Sequence, residues 1–127
     1  MFRALADGTR LRLLNLMRDG EVCVCVFTDV LRTHQPKISR HLAYLRRAGL
    51  VRARRQGKWM HYAVATPADP TMRRALEAAL AIFDEQPMFR ADRARMREVC
   101  CSPRSVVRLQ GAPLPRLPDE RVERNSV

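Results

Sequence analysis

Four cysteines stand in this chain as two close pairs, Cys23-Val24-Cys25 and Cys100-Cys101. Thiolates are soft ligands that select soft ions, and neighbouring thiols can also be oxidised to a disulfide. No stretch has a secretory-signal layout or approaches the roughly 18 to 20 apolar residues that cross a bilayer. A cytoplasmic protein without a membrane partner is therefore expected, with reduced thiols open to a ligand or an oxidant. Spacing narrows the chemistry. Residues two apart do not face each other on an ideal helix but share a side on an extended strand. One ion held by both Cys23 and Cys25 then requires the following helix to be unwound or bent at its start. The competing reading makes the two cysteines small buried hydrophobes, as free cysteines commonly are. C-x-C plus C-C is not the C-x2-4-C pairing of structural zinc, and the solitary His41 and His61 are assigned to no metal.

A second chemistry lies in the charge. Twenty-four basic against thirteen acidic residues leave a net charge of +11, nearly all the cations being arginine, whose guanidinium binds phosphate bidentately. A polyanion is the expected partner, with nucleic acid ahead of a membrane surface. With 46% apolar residues and a mean hydropathy of -0.31, the 127 residues suit one soluble compact domain. No nucleophile with an orienting base, phosphate-cradling glycine loop or carboxylate pair in an apolar setting points to an enzyme.

The elements that must position these groups follow from pattern. Met1 to Ala6 reads as a short helix. Leu11, Leu13, Leu14, Leu16 and Met17 mark a buried helix over Thr9 to Met17, with Asp7 as N-cap and Asp19-Gly20 as its stop. The cysteine segment Glu21 to Phe27 begins extended and leads into a helix ending near Thr33. Gln35-Pro36 opens a helix over 36–48 that Gly49 closes, with Ile38, Leu42 and Leu45 as its apolar stripe. Leu50 to Gln56 and Trp59 to Ala65 flank Gly57-Lys58 as a β-hairpin. A helix runs from Pro70 to about Gln86, Pro87 interrupts it, and a basic helical stretch continues to Cys101. Residues 102–127, with Pro103, Pro113, Pro115 and Pro118, read as a disordered tail.

A helix, a short turn at Thr33 to Gln35, a polar-faced helix and a basic hairpin make a mainly α fold with a small β wing, the winged helix-turn-helix. Residues 1–66 form that core. In the major groove, Gln35, Lys37, Ser39, Arg40 and His41 are the expected base-reading and phosphate-contacting residues. Arg52, Arg54, Arg55 and Lys58 of the hairpin are expected along the flanking backbone, adding affinity and salt dependence but little sequence information. The plainer alternative is a solvated charged face.

Four strings sharpen this reading: Phe2 to Leu14, Glu21-Val22-Cys23-Val24-Cys25, Gln35 to Leu42, and Arg55-Gln56-Gly57-Lys58-Trp59. Together they resemble the ArsR/SmtB family of metalloid-responsive repressors, and the second and third resemble its arsenic-sensing branch. The resemblance covers about residues 1–65. It implies a winged-helix homodimer, paired through the first helix and the helices of 67–101, that occupies a palindromic double-stranded operator and leaves when an inducer binds.

The implied inducer is a thiophilic metalloid, arsenic(III) or antimony(III), held by up to three sulfurs in a pyramid; no other cofactor is required. Two departures from the branch's pattern bear on the ligand set. Val26 stands where an aspartate is usual, and Thr28 where a third cysteine often follows. Cys23 and Cys25 are thus expected as metal ligands with Cys100 or Cys101 as the third, or Cys100 and Cys101 hold methylarsenite by themselves. A zinc sensor is the weaker rival, because no histidine follows His61. A repressor of the same fold switched by thiol oxidation or persulfide is the alternative of a different chemistry.

Overall fold

The computed structural model describes residues 1–101, so the expected disordered tail at 102–127 lies outside the described residues. The chain begins with α1 (Phe2–Leu5) and α2 (Gly8–Leu16), then β1 (Val22–Cys23) running directly into α3 (Val24–Leu31), then α4 (Gln35–Arg47). β2 (Val51–Gln56) and β3 (Trp59–Val64) form the hairpin, and α5 (Pro70–Ala81), a 3-10 turn over Ile82–Glu85 and α6 (Pro87–Cys101) complete the order.

Local chemistry accounts for the boundaries. Asp7 caps α2 by accepting the Arg10 amide at 3.1 Å, and Asp69 caps α5 by accepting from Thr71 and Met72. Pro36 and Pro70 occupy first-turn positions, where a missing N–H removes no helical bond. Gly49 ends α4 in the left-handed conformation at φ 78°, which lets the Leu50 amide reach back to the Leu45 carbonyl at 3.0 Å.

The sheet has an unexpected third strand. β1 joins the hairpin to give the order β1-β3-β2, both pairings antiparallel, with Val22 opposite Tyr62 and Cys23 opposite His61. Two residues are too few to show a strand period, and their partner lies far along the chain.

One core holds the helices. Leu13, Leu14, Leu16 and Met17 of α2, Val26, Phe27, Val30 and Leu31 of α3, and Ile38, Leu42 and Leu45 of α4 are all buried together. Each such side chain contributes about 1.5–3 kcal/mol on burial. α6 folds back along α2 and α3, adding Phe89 and Val99. A bidentate ion pair fixes it there: Arg12 Nε and Nη2 donate to Asp92 at 2.7 and 2.9 Å, and Arg95 donates to the same fully buried carboxylate. No helix among the described residues is long and apolar enough to cross a membrane.

Candidate sensor elbow and nucleic-acid interface

Cys23 ends β1 and is at the same time the N-cap of α3, with extended backbone at φ -71° and ψ 142°. Cys25 lies two residues into the helix. The change from strand to helix between them brings the sulfurs to the same side, Sγ to Sγ 2.9 Å. The geometric premise is therefore corrected: both thiols face one another with α3 intact, because Cys23 sits outside the helix.

The two sulfurs are unequal. A hydrogen bond from the Cys25 thiol favours the Cys23 thiolate, and against the opposing effect of burial Cys23 is brought down to about 7, with help from the amides of Val24 and Cys25. Cys25, as donor to that thiolate and itself half-buried, is pushed far up. Around neutral pH the pair passes from two protons to one, the remaining proton shared between the sulfurs. Thr28, one turn further on, donates its hydroxyl to the Cys25 carbonyl at 2.8 Å.

Among the described residues, no group of three or more histidine, cysteine, aspartate or glutamate side chains is placed to hold a metal ion. The elbow alone offers two thiols. Positions 100 and 101 end α6, the helix that packs along α3.

The residues expected to touch nucleic acid divide. Gln35, Lys37, Ser39 and Arg40 are exposed on the first turns of α4, while Ile38, Leu42 and Leu45 turn into the core. His41 departs from its expected outward place. It is half-buried against α2, accepting at Nδ1 from Arg10 Nη1 at 3.4 Å, with the Asp7 carboxylate 3.9 Å away. Burial lowers its pKa, with Arg10, Lys37 and Arg40 adding to the effect and Asp7 opposing it. Arg10 does more than hold His41: it donates to the carbonyls of Ala4 and Arg3 and stacks over Tyr44 at 4.2 Å, joining α1 to α4.

On the wing, Arg52, Arg55 and Lys58 are exposed, with Arg55 Nε on the Gly57 carbonyl and Lys58 over the Trp59 ring. Arg54 differs from them. Its Nη2 and Nε donate to both oxygens of the buried Glu21 at 2.6 and 2.9 Å and its Nη1 to Gln56 Oε1 at 3.2 Å, so its guanidinium is engaged within the protein. Two arginines of the last turn of α4 join the exposed face: Arg47, which recurs with Lys37, Arg40 and Tyr44 at helical steps, and Arg46, not singled out by the sequence reading. With Ser39, Ala43 and Tyr62 they line a cleft of about 490 Å³ between α4 and the sheet. The signal for Arg46 is the i, i+4, i+7 step from Ser39 through Ala43.

A family profile described as "Bacterial regulatory protein, arsR family" matches residues 7–53. The "Arsenic resistance transcriptional regulator ArsR1" of Pseudomonas putida is 40% identical over 110 residues, 84% of this chain and 83% of that protein. Among solved structures, the AntR antimony-specific transcriptional repressor superposes with a TM-score of 0.51 at 35% identity, covering 66% of this chain and 74% of that one. The homodimeric winged helix-turn-helix DNA-binding domain Mb0332 of Mycobacterium bovis gives 0.54 at 30% identity, covering 68% and 77%.

Proposed function

This chain belongs to the arsR family of bacterial regulatory proteins, DNA-binding transcriptional regulators with a winged helix-turn-helix fold, and from that premise we propose that it is a homodimeric repressor released from operator DNA when trivalent arsenic binds Cys23 and Cys25. The observation that carries the reading is the position of two sulfurs 2.9 Å apart at the start of the helix that supports α4. Arsenic resistance and antimony specificity in the names of its relatives support the choice of inducer.

The chemistry suits the elbow. Each sulfur–arsenic bond forms as an arsenic–hydroxyl bond breaks; with Cys23 as thiolate, one hydroxyl leaves with the Cys25 proton as water and the other leaves as hydroxide that takes a proton from solvent. With sulfur–metal bonds of about 2.3 Å at near-right angles, two sulfurs on one ion stand about 3.3 Å apart. The pair must therefore open beyond its present separation and lose its mutual hydrogen bond. Cys23 is held by pairing to β3, so the opening is taken up at the first turn of α3. α3 packs on α4, and Phe27, Val30 and Leu31 of α3 are buried in the core with Ile38, Leu42 and Leu45 of α4, which gives release a mechanical route.

A third thiolate from Cys100 or Cys101 would pull α6 in the same sense. Moving the population from 1:99 to 99:1 requires about 5.5 kcal/mol of differential binding, within reach of two or three sulfur bonds. In DNA binding, Gln35, Lys37, Ser39 and Arg40 enter the major groove, with Arg52, Arg55 and Lys58 along the backbone. Exposed Phe2, Ile82 and Met88 fit the homodimer, placing apolar surface on α1 and about the α5–α6 junction.

The test is a titration of the labelled operator complex, followed by fluorescence anisotropy, with arsenite, antimonite and methylarsenite in turn. Stoichiometric release by at least one of them is expected. The sulfur–sulfur proximity also suits a disulfide or persulfide switch, and release by peroxide or polysulfide but by no arsenical would replace the metalloid reading with that one.

A further inference from the structure

A buried acidic residue stands at the entry to β1, beside the arginine-rich hairpin. Glu21 is only 8% exposed, and its carboxylate receives two guanidinium hydrogen bonds from Arg54, the bidentate geometry that fixes both partners in orientation. The register of the sheet shows what this pair spans. Cys23 lies opposite His61 on one side of β3, and Arg54 lies opposite His61 on the other. Directly paired residues share a face, so Cys23, the fully buried His61 and Arg54 form one row across all three strands. Glu21 lies at the entry to β1, two residues before Cys23, and its carboxylate reaches Arg54 on this row. The Glu21–Arg54 pair thus closes over β3 and clamps the outer strand of the wing to the strand bearing Cys23.

We propose that Glu21 and Arg54 are positioning residues that lock the wing to the cysteine elbow, so that the wing's seat on DNA is governed by the same two-residue strand that carries the sensing sulfur. The inference rests on the function proposed above and adds a second output to it. A displacement at Cys23 is passed through α3 to the reading helix and, through β1 and the clamp, to the hairpin cations Arg52, Arg55 and Lys58. Arg54 itself contributes no phosphate contact.

The experiment compares Arg54→Met, which keeps the aliphatic stem, and Glu21→Gln, which keeps the shape, with the unaltered full chain. Operator affinity is measured over a salt series, with and without arsenite. Both variants are expected to weaken binding by a similar factor, about tenfold, while keeping the unaltered salt slope. The ratio of affinities without and with arsenite is expected to shrink about tenfold in both, and the double variant to be no weaker than either alone. A salt slope lower by about 0.9 in Arg54→Met, the signature of one lost phosphate contact, with Glu21→Gln unaffected, overturns the proposal. So does an undiminished arsenite response in both variants. Circular dichroism establishes folding, and if Arg54→Met does not fold, Glu21→Gln carries the same comparison alone. If the unaltered chain does not respond to arsenite, the proposed function fails, and the clamp is judged on matched affinity loss and salt slope.

Discussion

The elbow at Cys23–Cys25 and the outer face of α4 lie on consecutive helices and are built in opposite ways. The elbow is enclosed: Cys23 is buried at the end of a paired strand, Val26 and Phe27 fill the core behind it, and α6 closes over α3. The α4 face is open, with Gln35, Lys37, Ser39, Arg40, Arg46 and Arg47 exposed. A sensor set in close-packed surroundings cannot change shape without moving its neighbours. A reading surface needs solvated side chains that a partner can order. Division of labour between adjacent helices follows from which of them gives its side chains to the core.

Loosening the enclosure should produce the largest effect. Asp92→Ala removes the carboxylate that ties α6 to Arg12 and leaves that guanidinium without its buried partner, a loss of about 3 kcal/mol. The melting temperature is expected to fall by on the order of 10 °C; a fall of a degree or two would mean that α6 is held by its apolar contacts alone. The open face should respond in affinity and not in stability. Arg40→Ala is expected to weaken operator binding by about 1–3 kcal/mol, with an unchanged melting temperature, in titrations at fixed salt. Lys37→Ala should lower the salt slope by about 0.9 if it meets a phosphate and leave it alone if it reads a base.

A smaller change sharpens the contrast from the elbow side. Thr28 already touches the Cys25 carbonyl from one turn along, so Thr28→Cys is expected to supply a third thiolate and to raise arsenite affinity about tenfold, roughly 1.4 kcal/mol. Competition against a dithiol chelator checks it, and unchanged affinity would mean that position 28 cannot reach the ion. The smallest effect belongs to His41, on the border between the two regions. Its folded-state pKa is lowered by burial and by Arg10, Lys37 and Arg40, with Asp7 opposing, so the folded chain binds its proton less readily than the unfolded one. The resulting stability is full above the unfolded value of about 6.5 and declines as pH falls through the folded value. Melting curves from pH 8 to 5 should therefore show His41→Gln losing less stability on acidification than the unaltered chain.

What the sequence discloses and what it conceals differ by the range of the interactions. α4 is legible because Pro36 opens it, Gly49 closes it and Ile38, Leu42 and Leu45 repeat at helical steps. The hairpin is legible from Gly57 between two runs of alternating pattern. β1 is not, since two residues carry no period and their partners at His61 and Tyr62 are set only by the fold. Arg54 looks like its neighbours Arg52 and Arg55 until Glu21 is brought beside it, and His41 joins the polar stripe of α4 until Arg10 draws it inward. The Cys23–Cys25 pair was legible as chemistry but not as geometry, because the strand-to-helix junction falls between the two residues.

The central claim is that metalloid binding at this junction drives release from DNA, and one measurement meets it directly: arsenite titration of the operator complex formed by Cys23→Ser/Cys25→Ser, beside the unaltered chain. The account predicts that the double variant binds operator with the affinity of the unaltered chain and stays bound at arsenite concentrations that free the latter completely. Release of both at the same arsenite concentration would contradict it.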